Sequence, residues 1–284
     1  MRIGDLQIDP LIDGELAIPA ATFYPPVTDE DWHPYREMLE PVFGESTHLC
    51  TLGGFLIRHG KRLIVVDTGI GPNPKPPFTG GGFRSALVAA GVARAEVTDV
   101  IFTHLHFDHI GWAAIDGRPY FPNATYRVDR RDWDHYCEDG PGMNELESGS
   151  CFPETDAPAV RLAPVADRLE FFQGEQEIMP GINALEASGH TPGETVLELS
   201  SAGERGLLLG DLVHAQPELI DDNARGQWNF QGHIDEPAAI DSVTRMRKKI
   251  VDEKLPFAAA HFPGLQWARI DSAGERRTWQ NLGS

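Results

Sequence analysis

Residues Thr103 to Trp112 read THLHFDHIGW, and the six positions from His104 to His109 hold three histidines and one aspartate. The preceding VTDVIFTH, residues 97–104, reads as a buried strand that runs straight into the cluster. In extended chain, residues two apart share a side, so His104 and His106 leave the strand end in the same direction. Asp108 and His109 follow where Ile110-Gly111 turns the chain, and so approach the same point from another side. Imidazoles and a carboxylate are what zinc and similar divalent ions accept. Crowded imidazoles with no ion between them would repel when protonated and would need many hydrogen bonds when buried. The cluster is therefore read as a metal site.

One cluster cannot surround two ions, and three further candidates sit at strand ends. His190 lies in ASGHTPGE, after the apolar stretch 182–188. Asp211 lies in RGLLLGDLVH, and His261 in FAAAHFPG. Each terminates a short apolar strand and is followed by turn residues, which puts the set on loops along one edge of a sheet. Other elements are read from pattern. FLIR and RLIVVD around His59-Gly60-Lys61 form a hairpin. Residues 82–91 form a short helix closed by Gly91. Residues 124–129 are a strand and 130–136 start a helix. Short strands follow at 169–172, 176–179, 182–188, 195–199 and 206–210. EPAAIDSVTRMRKKIVDEKL, 236–255, is a strong amphipathic helix. Strands at 257–261 and 266–271 come last. Residues 137–165, rich in Gly, Pro and acids, read as a solvated loop, with a lid as the alternative. Strands dominate each half with helices between them, which predicts an α/β protein of two sheets with helices outside, in one domain spanning 1–284.

The bulk numbers bound the function. The chain has 284 residues, 24 Lys+Arg against 43 Asp+Glu, and a formal net charge of −19. Such a surface repels phosphates, so no nucleic-acid partner and no anionic membrane partner are expected, and the substrate is not expected to be strongly anionic. The three cysteines, Cys50, Cys137 and Cys151, form no CxxC pair and read as reduced thiols. With no basic-then-apolar leader and no run of membrane-spanning length, a cytoplasmic location is expected.

HLHFDH, GHTPG, LLGDLVH and AAHFPG, in this order and joined by VVDTGIG at 65–71, resemble the metallo-β-lactamase fold superfamily. The likeness spans roughly residues 50 to 271. It implies an αββα four-layer sandwich. It implies His104, His106 and His190 at a first metal, Asp108, His109 and His261 at a second, and Asp211 bridging them. Asp67 would orient the ligand loop from behind. The cofactors would be two divalent ions, zinc first, with manganese, iron or cobalt as alternatives. Ions about 3.5–4 Å apart share a water and generate a hydroxide nucleophile for hydrolysis. Asp108 would pass a proton to the leaving group.

Branches of the superfamily differ at positions that can be inspected. Asp211 stands where zinc β-lactamases carry Cys or Ser. The chain stops soon after His261, where glyoxalase II continues into a helical region. The charge disfavours RNA-processing branches, and neither the Glu replacement nor the flavodoxin domain of flavodiiron oxidases is seen. The resemblance is nearest to quorum-quenching lactonases, which share HLHFDH, and to the methyl parathion hydrolase type, which GDLVH resembles. His214 takes the place of a tyrosine common in the lactonases and is a candidate to meet the substrate carbonyl. The expected activity is a dinuclear hydrolase of an ester-like bond, a lactone first. An organophosphate or aryl ester is the alternative, and a mononuclear iron oxygenase a further one. The partner is then a small molecule. Trp112, Trp228, Phe230 and Trp267 are candidate pocket walls. Residues 20–47, with Phe23, Tyr24, Trp32 and Phe43 in an N-terminal extension of about 50 residues, are expected to form a homodimer contact, with a pocket cap as the alternative.

Overall fold

The computed structural model describes residues 1–35, 47–221, 228–273 and 276–283. Two seven-stranded sheets pack face to face. In spatial order the first contains Arg2–Ile3, Leu6–Pro19, Thr47–His59, Arg62–Val66, Asp99–Ile101, Thr125–Asp129 and Leu169–Phe172. The second contains Gln176–Met179, Ile182–Glu186, Thr195–Ser201, Glu204–Leu208, Phe257–Ala258, Trp267–Ala273 and Arg276–Leu282. The four strands from 62–66 to 169–172 run parallel, as do 204–208 and 257–258, and the other neighbours are antiparallel.

Strand alternation builds the layers. Ile64 and Val66 point between the sheets, against Leu197, Leu199 and Leu208 of the second sheet. Val65 points the other way, toward Phe83 and Leu87 of the helix Phe83–Ala89. On the second sheet Val196 and Leu207 face outward onto Met246 and Ile250 of the helix Glu236–Glu253. That helix starts where the Asp235 side chain accepts the Ala238 N–H, and ends at Lys254 in the left-handed conformation. The result is the expected αββα sandwich.

Three differences from the pattern reading have physical causes. The longest strand, Leu6–Pro19, is paired along most of its length on one side only. Edge strands tolerate proline, and Pro10 and Pro19 disguise it in the sequence. A bulge between Ile12 and Gly14 turns Asp13 inward, where it accepts the N–H groups of Gly71, Gly81 and Phe83. The final strand, Arg276–Leu282, is largely polar and lies at the opposite edge of its sheet, so it carries no alternation to read. Residues 137–165 are not an irregular solvated loop. They fold into the short helices Glu145–Ser150, Pro153–Asp156 and Pro158–Leu162. The first begins with a capping box between Asn144 and Glu147, and the other two begin at prolines, where a missing N–H costs nothing.

Candidate metal centre

All seven predicted ligands lie just past the C-terminal ends of strands, on one edge of the sandwich. Parallel pairing brings 62–66 and 99–101 to that edge in the first sheet, and 204–208 and 257–258 in the second. Sheet carboxyl ends are where α/β folds place ligands. His104, His106, His190 and Asp211 form one group whose donor atoms converge, and Asp108, His109 and His261 form another.

In the first group His106 Nδ1 lies 3.0 Å from His104 Nε2 and 2.9 Å from His190 Nε2. Asp211 Oδ2 lies 3.4 Å from His190 Nε2 and 3.9 Å from His104 Nε2. In the second, Asp211 Oδ2 is 2.9 Å from His261 Nε2, Asp211 Oδ1 is 3.2 Å from His109 Nε2, and Asp108 Oδ2 is 3.7 Å from His261 Nε2. Asp211 thus touches both groups. A tetrahedral ion with bonds of about 2.0–2.1 Å sets its ligand atoms about 3.3 Å apart, close to these separations.

The outer nitrogens decide the protons. His104 Nδ1 lies 3.1 Å from Glu194 Oε2 and from Thr103 Oγ1, whose own proton goes to Asp67 Oδ2. His106 Nε2 lies 2.7 Å from Glu147 Oε1. With those nitrogens protonated, His104 Nε2 and His106 Nδ1 present lone pairs to each other, which is repulsive unless a cation stands between them. His109 Nε2 and Asp211 Oδ1 are buried without a hydrogen-bond partner, a state that costs about 1–3 kcal/mol per neutral group and more for a charge. Burial holds His104 and His190 well below the usual imidazole range. At His109 burial acts the same way, but the carboxylates of Asp211, Asp67 and Asp108 outweigh it and drive the ring well above that range. Neutral His104 and His190 beside the carboxylates of Asp211 and Asp108 fit a pair of divalent cations.

Residues behind the groups hold them in place. Asp67 sits at positive φ (56°), a strained conformation for a non-glycine residue. Its carboxylate accepts the Thr103 N–H and lies 3.0 Å from His109 Nδ1, the orienting role expected of it. Three supports were not singled out in the sequence. Buried Asp132, from the helix Arg130–Tyr136, accepts Leu105 N–H, Thr191 O–H and Gly193 N–H, and so ties the two ligand-bearing halves together. Glu194 accepts the Asp211 N–H. Gly210, at φ 55°, leaves room for that carboxylate, since a Cβ there would lie 2.4 Å from Glu194 Oε1. Glu218 accepts Tyr24 O–H and the N–H groups of His214 and Ala215, and burial pushes its carboxyl up to about 7. A buried carboxylate surrounded by donors was the available signal, and it is invisible without the tertiary contacts.

The groups open into a cavity of about 100 Å³, walled by Phe23, Phe78, Phe107, Phe230, Leu16 and Leu52. His214 lines it, stacked on Phe230 at 3.6 Å, with Nε2 3.2 Å from Asp211 Oδ2. The expected aromatic walls divide. Phe230 is one, but Trp112 packs into the core against Phe83 and Tyr120, and Trp267 lies between the sheets. Trp228 packs behind the cavity against Tyr24 and Trp32. Within residues 20–35, Phe23 caps the cavity and Tyr24 and Trp32 are buried in the chain's own interior. Phe43, in the same expected segment, lies outside the described residues.

The family model of the metallo-beta-lactamase superfamily matches residues 54–273. The chain belongs to that superfamily. Within it, an N-acyl homoserine lactonase of Bacillus sp. is 24% identical over 220 residues, covering 70% of this chain and 76% of that one. N-acyl homoserine lactonase AttM of Azorhizobium caulinodans is 34% identical over 97 residues, covering 28% and 35%. Among solved structures, the dizinc quorum-quenching lactonase AidC in complex with a product aligns with a TM-score of 0.83 at 22% identity, covering 100% of this chain and 97% of that one. The hydrolase AbOPH of the beta-lactamase superfamily aligns with a TM-score of 0.81 at 22% identity, covering 100% and 97%. The metallo-beta-lactamase fold is therefore common to sequence pattern, architecture and neighbours. Among the described residues no helix is long and apolar enough to cross a membrane.

Proposed function

We propose that the protein is a dinuclear metal-dependent hydrolase that opens a lactone, of the N-acyl homoserine lactone class. The observation that carries this reading is the convergence of nitrogen and oxygen donors from seven residues, five of which, His106, Asp108, His190, Asp211 and His261, line an apolar cavity. His104, His106 and His190 would hold one ion, Asp108, His109 and His261 the other, and Asp211 would lie between. Two such ions supply a nucleophile from water at neutral pH and polarise the attacked carbonyl. Zinc is the first choice for this imidazole-rich set, and manganese, iron or cobalt, which nitrogen and oxygen donors also accept, are the alternatives.

The chain's own residues divide the remaining work. Asp108 lines the cavity with its carboxylate partly exposed; it would take a proton from the attacking water and pass it to the ring oxygen as the C–O bond breaks. His214 offers a donor to the carbonyl oxygen, its ring plane fixed by Phe230 and its backbone by Glu218. The phenylalanine and leucine walls suit an acyl chain and exclude water. Among the described lining residues there is no lysine or arginine, and the charged groups are carboxylates and imidazoles. That favours a neutral ester over an anionic cephalosporin. A neutral aryl phosphotriester meets the same condition and is the second reading. The relatives named above as lactonases support the first. The reading takes the chain as one catalytic unit, working in a reducing cytoplasm with its three free cysteines, and as a homodimer.

The test is one plate of initial rates for the metal-loaded protein. It holds an acyl-homoserine lactone, an aryl ester, an aryl phosphotriester, a cephalosporin and a glutathione thioester, with His106→Ala as the blank. The lactone is expected to turn over fastest, and the blank to be silent. Equal traces for protein and blank on every substrate would sink the hydrolase reading.

A further inference from the structure

The site histidines differ in what holds their outer nitrogens. His104 and His109 face Glu194 and Asp67, both set within the ligand-bearing edge, and His261 Nδ1 faces the Thr51 carbonyl at 3.3 Å. His190 Nδ1 faces His233 Nδ1 at 3.3 Å. The partner of His106 comes from elsewhere: Glu147, on the short helix Glu145–Ser150 of the segment that the sequence reads as a solvated loop.

Glu147 is buried, at 7% exposure, and heavily determined. Tyr136 O–H donates to its Oε1 at 2.7 Å, and Asn144 N–H to its Oε2 at 2.5 Å through the capping box. The same Oε1 lies 2.7 Å from His106 Nε2, though off the N–H axis, so the contact supplies charge as much as a hydrogen bond. Leu146, Glu147 and Ser150 also line the cavity beside His106. One short helix therefore both forms a cavity wall and presents a carboxylate to a metal-group histidine.

We infer that Glu147 is the positioning residue of His106: it keeps the proton on Nε2, leaves the Nδ1 lone pair for the first metal, and couples the 145–150 wall to that metal. Carboxylate partners of ligating histidines orient the ring and raise its basicity, and their loss costs about 10–100-fold in metal affinity. The inference rests on the dinuclear reading given above. It assigns the segment 137–165 a part in assembling the metal centre, beyond enclosing substrate.

The test uses the full chain, stripped of metal and titrated with zinc against a chromophoric chelator, with the visible spectrum of the cobalt-loaded protein alongside. Glu147→Ala should weaken one of two ions by about 10–100-fold, leave the other at wild-type affinity, and shift the cobalt bands. Glu147→Gln, whose amide oxygen still accepts, should lose less, and Tyr136→Phe less again. Exposed Glu145→Gln on the same helix should match wild type. If Glu147→Ala fails to fold, the Gln and Phe variants decide by the same site-selective loss. Two ions bound at wild-type affinity in all variants would overturn the inference while leaving the dinuclear reading intact. So would equal weakening of both sites with a lower apo-protein Tm, which marks a merely structural role. A wild-type chain that takes up no zinc would overturn both.

Discussion

The two halves of the molecule build their share of the site in opposite ways. The first sheet delivers His104, His106, Asp108 and His109 from one turn of six residues. The second delivers His190, Asp211 and His261 from three loops, which meet because the strands before them end at the same edge of one sheet. The turn is compact because one neighbouring stretch, residues 67–71, grips it: Asp67 captures the Thr103 N–H, the Thr68 N–H donates to the His109 carbonyl, and Gly111 packs against the backbone of Ile70. The three loops have no single partner stretch. Their geometry comes from sheet register and from buried carboxylates, Asp132 and Glu194, that bond across elements. A site of this kind depends on one tightly packed seam on one side and on bonds spread over several elements on the other.

Asp211 is where the two halves meet, so removing its charge is the hardest test of the comparison. In Asp211→Asn the second half no longer offers a shared carboxylate. Turnover should fall by more than about 100-fold, beyond the range for outer partners of a ligand, and metal content should drop. Near-wild-type turnover with full metal content would mean that the first turn works alone and that the halves are not interdependent.

Gly111→Ala probes the seam between the turn and residues 67–71. A Cβ there would lie 2.0 Å from the Ile70 carbonyl carbon and 2.3 Å from the Gly71 nitrogen, which are backbone atoms with nowhere to move. Urea denaturation should show a loss of about 3 kcal/mol. An unchanged midpoint would show that the turn is looser than its contacts suggest.

Asp99 gives the smallest effect and separates a carboxylate that stabilises from those that build the site. It is buried between strands and paired with Arg62 at 2.9 Å and Arg127 at 2.6 Å. Burial opposes its ionisation, but the Thr98 hydroxyl and the two guanidiniums outweigh burial and hold it below the usual carboxylate range. With the folded pKa below the unfolded value, its stabilisation is present above the unfolded pKa of about 4 and is lost as pH falls through the folded pKa. Asp99→Asn should cost roughly 1–3 kcal/mol at pH 7 and leave turnover unchanged. The difference from wild type should close as the pH is lowered below about 4. A gap that persists unchanged into acid would remove the charge from the explanation.

Much of this was legible in residue order. The hairpin at 53–67, the strand before His104, the helix after Asp235 and the short strands of the second half all carry period-two or helical patterning; the strands 169–172 and 176–179 keep their expected bounds, and the others appear with shifted ends. The ends shift for tertiary reasons. The strand expected over 97–104 closes at Ile101 because Asp67, not a neighbouring strand, takes the Thr103 N–H. Ala260 N–H likewise leaves the ladder for the Gly210 carbonyl, so the strand expected over 257–261 closes at Ala258. The edge strand with Pro10 and Pro19 and the polar strand at 276–282 carry no such patterning.

By itself, the sequence determined which candidate ligands the chain carries. A histidine at a strand end advertises itself by type and by the turn residues after it, and seven such residues in order limit the fold and the class of metal. Only the tertiary structure decided what stands behind and around them. Asp132, Glu194, Glu218 and Glu147 are four acids among forty-three in the chain. What sets them apart is desolvation and the donors they meet, which lie 17 positions away in the Glu194 bond to Asp211 and 194 away in the Tyr24 bond to Glu218. The cavity walls follow the same rule. An exposed and a buried aromatic are the same letter, and burial is a property of the packed molecule.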